Sequence, residues 1–80
     1  MAQITLYTSP GCHLCEQARA TLIEIGGDHP FELVEYDITG DEALHRAYFE
    51  RIPVIALDGE ELFDFFVDER ELRARLAGLH

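Results

Sequence analysis

Two cysteines stand three residues apart in the segment Ser9-Pro10-Gly11-Cys12-His13-Leu14-Cys15, and the chain has no others. A pair at this spacing supports three outcomes. It can close a small disulfide ring and carry two electrons. It can offer two thiolates to Cu(I), or half of a tetrahedral zinc site. It can also be two small residues that simply pack. The segment lies between a short apolar run and a helical pattern, which puts Cys12 at a helix N-terminus. Unpaired N–H groups and the positive end of the helix dipole stabilise a thiolate there, so a depressed Cys12 pKa is expected. Cys15 falls one turn deeper, on the face shared with Ala18 and Leu22, and is expected to be less exposed. That asymmetry suits Cys12 as the attacking thiol and Cys15 as the resolving one. A CxxC placed between a strand and a helix in a βαβ pattern favours the redox outcome.

The elements that must position the pair follow from periodicity. Gln3 to Tyr7 alternates and reads as a strand. From Cys12 onward, Cys15, Ala18, Leu22 and Ile25 recur at helical steps, and Gly26-Gly27 is expected to end that helix. Phe31 to Ile38 reads as a second strand. Thr39 and Glu42 fit a capping box with Asp41 in the first turn, opening a helix with Leu44, Ala47 and Tyr48 on one face. Val54 to Leu57 is an unbroken apolar strand, Asp58-Gly59 a tight hairpin turn, and Glu60 to Phe63 the returning strand. Asp68 with Glu71 resembles a second cap, ahead of a stripe of Leu72, Leu76 and Leu79. The expected fold is α/β, ordered β-α-β-α-β-β-α, with a mixed four-stranded sheet flanked by helices.

Eighty residues allow one domain, 1–80, whose small core leaves its stability marginal. Hydrophobic residues make up 48% of the chain, enough for a compact sheet-and-helix core. Sixteen acids against six basic residues, all arginine, give a formal net charge of −10. That balance argues against nucleic acid and anionic membranes, which need a basic footprint, and favours neutral or basic partners. The N-terminal stretch lacks a basic region and a long apolar core, so no signal peptide is expected. No apolar run approaches the roughly 20 residues of a membrane span. A cytoplasmic monomer is expected, in a compartment where structural disulfides are rare.

The run Tyr7-Thr8-Ser9-Pro10-Gly11-Cys12-His13-Leu14-Cys15, followed by Ile52-Pro53-Val54 and Asp58-Gly59, resembles the small glutaredoxin-like proteins of the thioredoxin-fold superfamily. The resemblance covers nearly the whole chain. It implies a thiol–disulfide oxidoreductase with no bound cofactor, glutathione being a candidate co-substrate. A disulfide-containing protein or a low-molecular-weight thiol would be the partner. It also implies that Pro53 is cis and that Ile52 and Pro53 form a substrate-docking wall beside Cys12. Without it, Pro53 reads as the residue that starts a strand.

The chain departs from glutathione-using glutaredoxins in three places. Ser9 stands where they carry a lysine, and Phe63 and Asp64 stand at a pair of glycines. Losing a cation and gaining an anion should weaken a ligand with two carboxylates by roughly two to four decades. Asp68 is either a replacement for the acid that holds glutathione or a helix cap.

Other residues carry paired readings. His13 can stabilise the Cys12 thiolate and meet substrate, or simply face solvent. Glu16 and Arg19 permit a helix-face ion pair. Arg51 is solvated or attracts an acidic substrate. The aromatic stretch Leu62 to Val67 is expected to be mostly core, with Phe65 or Phe66 offering a partner contact if exposed. His29, His45 and His80 read as surface residues. The competing functions are a Cu(I) or zinc metallochaperone and a binding module with weak redox use. Against the first stand Pro10, where copper carriers place a methionine, and the terminal helix.

Overall fold

The computed structural model describes residues 2–78. Its elements are β1 (Gln3–Thr8), α1 (His13–Asp28), β2 (Glu32–Asp37), a short 3-10 turn (Ile38–Gly40), α2 (Glu42–Tyr48), β3 (Val54–Leu57), β4 (Glu60–Asp64) and α3 (Glu69–Ala77). The strands lie in the order β2-β1-β3-β4. β1 and β2 are parallel, from Gln3 opposite Glu32 to Thr8 opposite Asp37, and α1 supplies the crossover that a parallel pair requires. β3 runs antiparallel to β1, with Tyr7 opposite Val54, and β4 antiparallel to β3. This is the mixed four-stranded α/β sheet expected from the element order.

Alternation along β1 and β3 turns Ile4, Leu6, Ile55 and Leu57 to one face. There they meet Ala18, Leu22 and Ile25 of α1 and Leu72 and Leu76 of α3. Burying one such Leu or Ile side chain stabilises the fold by about 1.5–3 kcal/mol. Thr5, Val54 and Ala56 alternate to the other face. α2 contributes no buried residue: Leu44 and Tyr48 are half-buried, and Ala47, expected on its packed face, is exposed.

Two local expectations need correction. α1 does not end at Gly26-Gly27 but runs through them to Asp28, where the His29 N–H donates to the Ile25 carbonyl at 2.8 Å. A Cβ on Gly26 would stand 3.4 Å from the Phe31 ring. The ring thus lies on the helix backbone, and packing overrides the glycine penalty of about 1 kcal/mol. The cap of α2 is Asp41, not Thr39: its carboxylate accepts from the N–H groups of Ala43 (2.8 Å) and Leu44 (3.1 Å). The Thr39 hydroxyl is taken by Asp37, which closes the turn after β2. Asp41→Ala should therefore cost about 1 kcal/mol, lowering the urea midpoint at unchanged slope, while Asp41→Asn should retain most of the stability.

β4 forms as expected but carries an irregularity. Ile55 faces Phe63 but Ala56 faces Glu61, so Leu62 is an extra, bulged residue. A bulge lets two successive side chains reach one face, and both Leu62 and Phe63 pack on the core. The hairpin itself is as expected, with Asp58 (φ 49°) and Gly59 (φ 91°) in the left-handed region. Asp68 caps α3, its carboxylate accepting from the Glu71 N–H at 3.1 Å. Leu72 and Leu76 are buried as expected, while Leu79 and His80 lie outside the described residues.

Candidate active site

Cys12 is the N-cap of α1, and its sulfur accepts from the Cys15 N–H at 3.1 Å. The two sulfurs are bonded to each other, with Cα atoms 5.2 Å apart. Gly11, at φ +75°, turns the chain from β1 into the helix through a conformation that side chains disfavour. Cys15 is only 2% exposed, on the stripe with Ala18 and Leu22 that faces the core, whereas Cys12 is half-buried. The predicted asymmetry is present. His13 and Leu14, between the cysteines, are both exposed.

Strand register brings distant segments to this end of the sheet. Tyr7 lies opposite Val54, and Val54 opposite Asp64. The loop to Cys12, the entry to β3 at Pro53 and the exit of β4 at Phe65 therefore leave the sheet together. The Ile52–Pro53 bond is cis. Pro53 is buried and Ile52 half-buried. The Pro53 carbonyl accepts from the Phe65 N–H at 2.8 Å. Phe65 has φ +69°, and the Phe66 N–H donates to the Asp64 carbonyl at 2.8 Å, the positive-φ form of a γ-turn. This turn throws both rings outward: Phe65 is 47% and Phe66 68% exposed. The expectation that they are mainly core is overturned, and the cause is the turn, which no residue pattern announced. Of the three rings in this stretch, only Phe63 packs against the core.

Arg51 is not a free solvated arginine but is paired with carboxylates of the chain. It donates from Nε to Asp64 (3.1 Å) and from Nη2 to Asp64 (3.2 Å) and Glu61, and its guanidinium lies 5.4 Å from the centre of the Tyr48 ring. The bonds to Asp64, then Glu61, raise its pKa. The Arg51 bond, then that of Tyr48, lowers the Glu61 pKa. Tyr48 stacks on Tyr7 (4.3 Å), which also stacks on Tyr36 (5.8 Å), and donates to Glu61 at 3.0 Å. This group ties β2, β1, α2 and β4 together immediately before Ile52-Pro53. Sequence reasoning missed it because its members meet only through the sheet register. Asp64, at one of the glycine positions, is thus neutralised internally.

Burial first, then the bond to Glu61, pushes the Tyr48 phenol up to about 12. A folded-state pKa above the free value of about 10 stabilises the protein below pH 10, and that stability is lost as pH rises towards 12. Phenolate absorbance should therefore show one late-titrating tyrosine, and Tyr48→Phe should remove it. A variant titrating like the parent would contradict the assignment.

The remaining candidates are placed as follows. Arg19 pairs with Glu35 across to β2 at 3.0 Å, and the expected Glu16 pairing is not formed. The strand neighbour of the crossover helix lies closer than the next turn. His29 is half-buried at the C-cap of α1, not a surface residue, and His45 is exposed and stacks on Phe49 at 5.3 Å. Asp68 serves as a cap. Among the described residues, no three His, Cys, Asp or Glu side chains gather as a metal-holding group. No helix among them is long and apolar enough to cross a membrane.

Residues 3–77 match the family described as Glutaredoxin-like domain (DUF836). The solution structure of the protein Ne2328 from Nitrosomonas europaea is similar, with a TM-score of 0.81 and 34% identity over 92% of this chain and 89% of that one. The crystal structure of the protein XcR50 from X. campestris superposes with a TM-score of 0.76 and 37% identity, over 94% and 96% of the two chains. A mutant thioredoxin from Halobacterium salinarum, 20% identical, has a TM-score of 0.68 over 96% of this chain and 73% of its own, and shares the fold.

Proposed function

Since this chain belongs to the glutaredoxin-like domain family, we propose that it is a thiol–disulfide oxidoreductase working through Cys12 and Cys15. The observation that carries the reading is the bonded pair at the N-terminus of α1, with the Cys15 N–H on the Cys12 sulfur. In the reduced protein the same donor and the helix end would hold a thiolate at Cys12.

The Cys12 thiolate attacks one sulfur of a substrate disulfide, forming a mixed disulfide and expelling the first substrate thiolate, which takes up a proton. The Cys15 thiol gives up its proton and attacks the Cys12 sulfur, closing the Cys12–Cys15 bond and releasing the second substrate thiolate. From the Cys12 thiolate form the protein loses two electrons and one proton, that of Cys15, and the substrate leaves as two thiols, the second proton coming from solvent. Regeneration needs an external thiol reductant, with glutathione one candidate. Ile52 and Pro53 are assigned as the wall against which substrate lies, and His13 as an exposed contact beside Cys12. A chain whose only cysteines form this pair suits a reducing, cytoplasmic setting.

Redox titration in glutathione buffers, read by intact mass, tests the reading. A reversible loss of two hydrogens at a defined midpoint is expected. Absence of an intramolecular disulfide across the range would end the redox assignment and turn attention to Cu(I) or zinc at the same pair.

A further inference from the structure

We propose that the substrate is a cysteine-bearing polypeptide with apolar and basic side chains beside its disulfide, and that it docks on the exposed rings of Phe65 and Phe66. This rests on the redox reading above.

Three observations converge. The first is position. Phe65 is hydrogen-bonded through its backbone to the carbonyl of Pro53, at the end of the sheet where Cys12 caps α1. The γ-turn at Phe65 presents both rings to solvent against their transfer preference. Leu14, inside the cysteine motif, is a third exposed apolar side chain at that end, 45% accessible. Large aromatic rings left exposed beside a reactive group are the kind of anchor that protein interfaces bury.

The second is charge. Five of the six arginines are already held by carboxylates within the chain. Of the sixteen acids, eight have no arginine partner among the described residues. Two of these eight, Glu16 and Glu50, are exposed and lie four residues after Cys12 and three before Pro53. Among the described residues, the one arginine without a carboxylate partner is Arg70, in α3. A partner carrying cations complements this surface, whereas a small dicarboxylate thiol does not.

The third is the fate of the positions that would hold glutathione. Asp64 is committed to Arg51, Asp68 to the cap of α3, and Phe63 to the core. What stands free at the site is aromatic surface, suited to a chain rather than to a charged tripeptide.

Single-turnover oxidation of the pre-reduced protein tests this with four disulfides. Two are bridged peptides of equal length, one flanked by Leu and Arg, the other by Ser and Glu. The others are glutathione disulfide and the neutral hydroxyethyl disulfide. The Leu/Arg peptide should react at least about tenfold faster than the Ser/Glu peptide and glutathione disulfide. Phe66→Ser, at an exposed position that leaves the core intact, should lower the rate ratio of the Leu/Arg peptide to hydroxyethyl disulfide by about tenfold. Equal peptide rates, a preference for glutathione disulfide, or an unchanged ratio in Phe66→Ser would overturn the docking surface while leaving the redox reading intact. No reaction with any of the four disulfides would remove the redox reading and the proposal with it. A dimer in sedimentation that Phe66→Ser disperses would also overturn it, because a second copy would then cover the rings.

Discussion

Cys12→Ser should lower disulfide turnover at least about a thousandfold, because in the proposed reaction the Cys12 thiolate is the nucleophile and a hydroxyl cannot replace it. Cys15→Ser should behave differently. Cys12 would still attack, but nothing within the chain would resolve the product, so a mixed disulfide with the substrate should accumulate and be seen by mass. The distinction follows from burial. Cys12 is half-buried at the cap, where a substrate sulfur can approach, while Cys15 is 2% exposed behind it. Alkylation of the reduced protein should accordingly label Cys12 first, with a midpoint below the ordinary thiol value of about 8.5. If Cys12→Ser kept its turnover, or if Cys15 were labelled first, the division of labour would be wrong.

The second large effect lies in the core. Leu22→Ala should destabilise the protein by about 2–5 kcal/mol, since the side chain is fully buried among Ile4, Leu6, Ile25, Ile55 and the α3 leucines. A domain of this length has a total stability of only about 4–12 kcal/mol. The melting temperature should fall by at least about 10 °C. Leu22 lies on the same helical stripe as Cys15, so the loss also bears on the site, because the packing of α1 holds its N-terminus, and hence Cys12, against the end of the sheet. Thermal and urea unfolding would measure it. A loss below about 1 kcal/mol would mean that α1 is not packed as described.

Much of the fold was legible because its signals are local. The stripe Cys15, Ala18, Leu22 and Ile25 has a helical period, and all four residues are buried. The apolar run Val54 to Leu57 with Asp58-Gly59 after it specifies a central strand and its hairpin turn. Asp68 three residues before Glu71 marks the cap of α3. Where local signals competed, reading them in isolation failed. Gly26-Gly27 ranked as a stop, but Phe31 packs across the helix. Thr39 ranked as a cap, but Asp37 and Asp41 on either side are better acceptors, and each takes its own turn.

The site divides the same way. The cysteine spacing, the helix beneath it and the asymmetry between the two thiols are properties of one short segment, and the amino-acid sequence determined them alone. The cis Ile52–Pro53 bond entered only through the family resemblance. The clamp of Arg51 on Asp64 and Glu61, the bulge at Leu62 and the outward turn of Phe65 and Phe66 were decided by tertiary structure. Each depends on which strand residues stand opposite one another. A one-residue change of register exchanges the two faces of a strand, and no pattern within the strand itself records which residue its neighbour presents.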